Sequence, residues 1–196
     1  MSDVFQINKQ AQSLSLDRDF QAIVRVVTDN HDFSTWWGGL SGQHHDFLGG
    51  LARHTREVID LCFNSVETLG LEKIDKKELF LSALFHDTGK MFDYTTSPIG
   101  SRQPAMIAAP HKRIIHHISR SALIWSHAVV EHPEFSDKYH DVVLHNILSH
   151  HGCREWGSPV APLTQTAWLL HLCDGISARM NDCDRLDLIN GKPKNL

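Results

Sequence analysis

Several things are scarce in this chain of 196 residues. It has four cysteines (Cys62, Cys153, Cys173 and Cys183), and no two of them form a CxxC pair. That excludes a disulfide framework and a thiolate zinc ribbon, and fits reduced thiols. There is no basic excess: 19 Lys and Arg against 23 Asp and Glu give a net charge of -4. A protein that coats DNA or an anionic membrane with a basic face is excluded, but an enzyme that grips a few nucleotides is not. No apolar run approaches the ~20 residues needed to cross a bilayer. Residues 1–30 lack the basic-then-apolar pattern of a signal segment. A cytoplasmic protein with no membrane partner is expected. Period-2 alternation is missing over any length, so no sheet is expected.

Against these scarcities stand fifteen histidines, beside nine Phe and two Tyr. A polar ring that titrates near neutrality is not used this heavily to fill space. The 41% apolar fraction supports a core. At this length, one compact domain should bury roughly 70% of its unfolded surface.

The dominant period is helical. Phe20, Ile23, Val24 and Val27 fall at i, i+3, i+4 and i+7 after Asp17, a predicted N-cap. A Gly- and His-rich loop (38–50) leads to a helix that carries Leu51, Val58, Leu61, Cys62 and Val66 and stops at Gly70. Asp75 to Glu78 has capping-box form and opens a helix reaching His86, with Gly89 placed to end it. Residues 95–109 read as a loop. Pro110 is predicted to start the next helix, and Pro133 to lie just beyond its end. Ser136 should cap a fifth helix over 137–151, closed by Gly152. Thr164 should cap the last, through Leu170, Asp174 and Ala178. The expected architecture is all-α, a single bundle of five to six core helices with a metal site at the helix ends. Residues 1–50 are expected to pack on it as a helix and loop, 51–183 to form the domain itself, and 184–196 to be a polar tail.

The chemistry falls where the predicted helices end. His54 lies in a first turn, and His86 and Asp87 at a helix exit. His117 comes early in the next helix, His150 and His151 end another, and Asp174 lies in the last. Imidazole and carboxylate are the usual ligands of divalent transition metals with open positions. His86, Asp87, His150 and His151 interrupt apolar helices near their buried stripe, where an unpaired polar group costs several kcal/mol. Bound metal is the simplest compensation. Two ions ~3.5–4 Å apart can clamp the attacking and leaving oxygens of a phosphoryl displacement.

The series His54, His86-Asp87, His117, His150, Asp174 resembles the HD superfamily of metal-dependent phosphohydrolases, and His86-Asp-Thr-Gly-Lys90 is close to its HDxGK signature. Residues 43–55 (QHHDFLGGLARHT), 149–152 (SHHG) and 155–160 (EWGSPV) are most similar to the HD domain of YhaM-type 3′→5′ exoribonucleases. The resemblance implies an HD domain over 51–183 holding one or two divalent ions, Mn²⁺ or Fe²⁺, with the extra histidines favouring a dinuclear centre. It implies His54, His86, Asp87 and Asp174 around a first ion. Asp87 would bridge to a second held by His117 and by His150 or His151. Lys90 would neutralise the substrate phosphate, and Asp87 and Lys90 are the implied catalytic pair. The implied substrate is a single-stranded nucleic acid or a nucleotide, hydrolysed at a phosphodiester. Two other activities fit the same ligands: a cyclic (di)nucleotide phosphodiesterase, and an HD-type di-iron oxygenase on a small anionic substrate. YhaM-type enzymes also carry an oligonucleotide-binding β-barrel. No strand-rich segment exists here, so a nucleic-acid-processing partner or a homo-oligomer could deliver the strand end.

Around this set, His44 and His45 are expected at the rim of the site and Trp156 as a base-stacking ring. Arg120, with Arg154 and Arg179, is a candidate phosphate contact. His116 is expected at the surface, its neighbour His117 pointing ~100° away. His171, three residues before Asp174, could share its face and orient that carboxylate, against the commoner reading of an ordinary histidine. Trp36, Trp37 and Phe33 read as core, and His111, His127, His132, His140 and His145 as ordinary.

Overall fold

The computed structural model describes residues 2–40, 42–96, 106–183, 186–187 and 192–193. Eight α-helices supply the framework: α1 (Asp3–Leu14), α2 (Arg18–Thr28), α3 (His31–Thr35), α4 (Gly50–Leu69), α5 (Lys76–Phe85), α6 (His117–Val130), α7 (Pro133–Ser149) and α8 (Gln165–Cys183). The fold is all-α, as expected. Two short ribbons are added, β1 (Tyr94–Thr96) with β2 (Met106–Ala108) and β3 (Leu186–Asp187) with β4 (Lys192–Pro193).

Local chemistry explains most boundaries. Asp17 accepts from Phe20 N at 2.8 Å and starts α2. Asp75 accepts from Lys77 N and Glu78 N and starts α5. Thr164 Oγ1 accepts from Ala167 N at 3.0 Å and starts α8. Gly70, at φ 62°, closes α4 in the left-handed conformation that glycine adopts without penalty. Residues 79–85 of α5 are all buried, because the helix runs through the centre of the bundle with no solvated face. Around it pack Phe20 and Val24 of α2, Val58 and Cys62 of α4, Trp125 of α6, Val143 and Ile147 of α7 and Leu170 of α8, as one core. Phe33 belongs to that core, and Trp36 packs against it beside Trp37.

Several expected boundaries are corrected. Helix α1 was not anticipated; Ser2 caps it, and Ile7 and Ala11, four apart, enter the core. Pro110 opens only a short 3₁₀ turn, Pro110–Arg113, and α6 begins afresh at His117. Pro133 lies just beyond the end of α6 at Val130, as expected, and also occupies the first position of α7, where its missing N–H costs nothing, so Ser136 lies inside α7 rather than capping it. Gly89 does not end α5, which stops at Phe85. It sits inside the 3₁₀ turn Thr88–Phe92. A Cβ there would lie 2.1 Å from His117 O and 2.8 Å from Arg120 Cβ, so its bareness lets α6 approach. The β1–β2 pairing replaces part of the predicted loop. Pro98, Gly100 and Pro104 lie outside the described residues, as does most of the predicted tail. Among the described residues, no helix is long and apolar enough to cross a membrane.

Candidate metal centre

The bundle brings together the ends of α5 and α7, the start of α6, the second turn of α4 and the middle of α8. Each delivers ligand-type side chains to one point. His54 Nε2 lies 3.0 Å from Asp174 Oδ1 and 3.4 Å from Asp87 Oδ2. His86 Nε2 lies 3.4 Å from the same Asp87 oxygen and 3.3 Å from His54 Nε2. On the other side of the carboxylate, Asp87 Oδ1 lies 3.4 Å from His117 Nε2 and 3.7 Å from His150 Nε2. His151 joins His117 and His150 in a group whose ligand atoms all lie within 4.8 Å of one another. Asp87 thus presents one oxygen to each of two ligand groups.

Hydrogen bonds behind the rings decide which nitrogens face inward. His86 Nδ1 donates to Ala83 O at 2.7 Å, His150 Nδ1 to Ile147 O at 2.6 Å and His151 Nδ1 to Trp156 O at 2.6 Å. A carbonyl only accepts, so each of these Nδ1 atoms carries a proton and Nε2 is the nitrogen left to face the cluster. Helix geometry makes two of these contacts local, because His86 and His150 are both C-cap residues that reach the carbonyl three residues back.

The electrostatics differ across the site. Burial disfavours the His54 cation, but Asp174 and Asp87 outweigh it and raise its pKa. Asp87 is held well below the usual carboxylate range: burial opposes this, and Lys90, His86 and His54 overcome it. Lys90 Nζ lies 2.6 Å from Asp87 Oδ2. Burial, with His151 and His86 nearby, pushes His150 down to about 3. Burial also holds His117 well below the ordinary imidazole value.

The residues fit divalent cations. Asp87 Oδ1, His150 Nε2 and both ring nitrogens of His117 are buried with no hydrogen-bond partner. Each such orphan costs about 1–3 kcal/mol. His54 Nε2 and His86 Nε2 face each other at 3.3 Å, and two lone pairs so close require a shared proton or a cation between them. Nitrogen and carboxylate donors without thiolate suit manganese, iron and their neighbours.

A family model for the HD domain matches residues 51–179. The chain belongs to the HD domain family. It is 29% identical over 168 residues to the 3′-5′ exoribonuclease YhaM of Bacillus subtilis (strain 168), an alignment covering 85% of this chain and 51% of that protein. The chain thus spans about half the length of that curated relative. No solved structure matches it. As an HD domain, it is a metal-dependent phosphohydrolase.

The two ligand-type groups open into a cavity of about 700 Å³ lined by His44, Lys90, His117, His151, Trp156 and Asp174, among others. Trp156 is 64% exposed at its mouth. Three residues expected to touch substrate, His45, Arg120 and Arg154, do not line it. His45 is fully buried, with its ring held against Glu57. Arg120 lies against Gly89 with its guanidinium over the Phe92 ring, 5.5 Å from the centroid. Arg179 does line the cavity, and Arg154 is exposed in the loop before Trp156. His171 does not orient Asp174. Its Nδ1 donates to His150 O at 2.8 Å, and its ring lies against Gly152. His116 is not a surface residue: it is half-buried, lines the cavity and packs against the His117 ring, with centroids 4.0 Å apart and the planes tilted by 44°. At a helix start the ~100° rule does not hold, because His116 is an extended N-cap residue rather than a helical one.

Sequence reasoning missed Asp93, Tyr94, Glu57 and Ser177. Asp93 is fully buried, with Oδ2 3.4 Å from His117 Nδ1. Tyr94 lines the cavity, and burial pushes its phenol up to about 12. Glu57 and Ser177 had a readable signal: each follows a ligand, His54 or Asp174, by three residues, which puts it on the same helix face.

Proposed function

We propose that this HD domain hydrolyses phosphodiester bonds of single-stranded nucleic acid, as a 3′→5′ exoribonuclease, with two divalent ions. The observation that carries the reading is the two-faced Asp87, one oxygen toward His54 and His86 and the other toward His117 and His150. His54, His86, Asp87 and Asp174 would hold one ion, and Asp87 with His117, His150 and His151 the other. Mn²⁺ and Fe²⁺ suit this donor set. When bound, such ions supply Lewis acidity and lower the pKa of a water.

The chain's own residues supply the rest. Lys90 is held at the cavity wall by Asp87, where its charge suits a substrate phosphate. Trp156 at the mouth offers a face to a terminal base. His151 Nδ1 ties its ring to Trp156 O, so the stacking loop and the second ligand group are fixed to each other. The named activity of the YhaM relative supports ribonucleic acid as substrate.

The test is a substrate panel with Mn²⁺, Fe²⁺, Co²⁺ or Ni²⁺. Wild type should cleave single-stranded RNA and bis(p-nitrophenyl) phosphate, and His86→Ala with Asp87→Ala should abolish both. The phosphodiesterase reading fails if wild type cleaves neither RNA, bis(p-nitrophenyl) phosphate nor a cyclic dinucleotide. Cleavage of the cyclic dinucleotide alone replaces the exoribonuclease reading, and metal-dependent oxygen consumption without hydrolysis replaces it with the oxygenase.

A further inference from the structure

Behind the first ligand group lies a chain of hydrogen bonds that the metal chemistry does not use. Glu57 stands three residues after His54 on α4. Its Oε2 accepts from Ser177 Oγ at 3.0 Å and lies 3.0 Å from His45 Nε2, while Oε1 accepts from Arg53 Nε at 2.7 Å. Ser177 Oγ lies 3.0 Å from His54 Nδ1. His45 Nδ1 lies 3.1 Å from His44 Nδ1, and His44 lines the cavity. The series His54, Ser177, Glu57, His45, His44 therefore begins and ends at the site wall.

A carboxylate only accepts, which fixes the direction of the bonds to Glu57, and with neutral rings at His45 and His44 the rest follow. Ser177 spends its one proton on Glu57, so its oxygen accepts from His54 Nδ1–H, and Nε2 is the nitrogen left to face Asp87, Asp174 and a cation. His45 donates Nε2–H to Glu57. Its Nδ1 then accepts from His44 Nδ1–H and leaves His44 Nε2 an acceptor.

The loop is built around this arrangement. His45 is the one non-glycine residue with positive φ among those described, at 54°. Such a conformation costs on the order of 1–3 kcal/mol and persists only where the surroundings impose it. Gly38 N donates to His45 O at 2.9 Å, and His45 N donates to Asn181 Oδ1 at 2.6 Å. A Cβ on Gly38 would lie 2.7 Å from His45 Cβ, and one on Gly50 would lie 2.0 Å from His45 O. A merely solvated loop has no need of these close approaches.

We infer that Glu57 is a positioning residue that sets the tautomers of two cavity imidazoles at once. On one branch, His54 is made to offer Nε2 to a divalent cation. On the other, His44 is made to offer Nε2 as an acceptor to a sugar hydroxyl of the substrate. The second branch rests on the nucleic-acid reading above; the first does not.

The experiment uses the full chain and two readouts. Long-range ¹⁵N–¹H correlation in metal-free protein reports each tautomer, and calorimetry reports Mn²⁺ affinity. Wild type should show His54 and His44 protonated on Nδ1 and His45 on Nε2. Ser177→Ala cuts one branch: Mn²⁺ affinity should fall about 10- to 100-fold while His44 keeps its pattern. His45→Asn cuts the other, with a residue that tolerates positive φ: His44 should lose its fixed tautomer and the KM for an RNA oligomer should rise, while Mn²⁺ affinity holds. Glu57→Gln should disturb both. The inference is overturned if Glu57→Gln leaves all three patterns intact and Mn²⁺ affinity within about twofold. It is equally overturned if Ser177→Ala and His45→Asn change both readouts alike, the mark of general structural loss. Wild type that binds Mn²⁺ without cleaving RNA would end the exoribonuclease reading and the hydroxyl assignment, while the tautomer and affinity readouts would still decide the role of Glu57.

Discussion

The two halves of the metal centre are built from different materials. The half around His54 and His86 contains Asp174 and shares Asp87 Oδ2 with Lys90. The half around His117, His150 and His151 is all imidazole and shares Asp87 Oδ1. Without metal, the first half can neutralise itself, since a proton between His54 and its carboxylates and the Lys90 ammonium satisfy most of its atoms. The second half has no such recourse. Burial keeps His117 and His150 neutral, and both are left with orphaned nitrogens. A proton therefore competes with metal in the first half, and buried unpaired nitrogens await it in the second.

Asp87 is the shared element, so its loss should have the largest effect. Asp87→Ala should lower phosphodiesterase activity by about 10³-fold or more and remove both ions, since both groups depend on its oxygens. Metal content after dialysis checks this. Retention of one ion per chain would show that one half stands alone.

A smaller effect should separate the halves by pH. The His150 pKa is depressed from 6.5 to about 3, so its contribution to stability is complete above pH 6.5 and is lost as pH falls toward 3. At pH 5 this amounts to on the order of 2 kcal/mol. The His117 pKa is also depressed and acts in the same direction. The His54 pKa is raised, so its contribution is complete below pH 6.5 and is lost as pH rises through its folded value. Two depressed rings outweigh one raised ring, so metal-free protein should melt at lower temperature at pH 5 than at pH 7.5. His150→Gln should flatten that dependence. Calorimetric melting across this range is the check, and an unchanged slope in the variant would contradict it.

The smallest predicted change lies outside both halves. Trp156→Ala should weaken binding of an RNA oligomer by about 1–3 kcal/mol, read as a higher KM, and leave bis(p-nitrophenyl) phosphate hydrolysis nearly unchanged. An equal loss on both substrates would mean that the loop supports His151 rather than the base.

Much of this was legible in the sequence, for physical reasons that can be named. Caps at Asp17, Asp75 and Thr164 and the stop at Gly70 act within a few residues, so they read correctly. His86, Asp87, His150 and His151 stood out because they fall where apolar helices end. What failed to read depends on tertiary contact. Ser136 has cap chemistry, but Pro133, just past the end of α6 as expected, already opens α7 and puts Ser136 inside it. His45 and Arg120 have site-like chemistry, but their directions are set by Glu57 and Phe92, far off in sequence or on another element. His116 was misjudged because helical geometry was applied at a residue that is still extended.

The bare Gly89 backbone has a further consequence. The turn bearing Asp87 touches α6 where His117 begins, and no side chain intervenes. The gap between the shared carboxylate and the second ligand group is therefore gauged by a missing carbon. One added methyl would pry the two apart while leaving every ligand chemically intact, which makes the signature glycine a calibration of distance rather than a hinge.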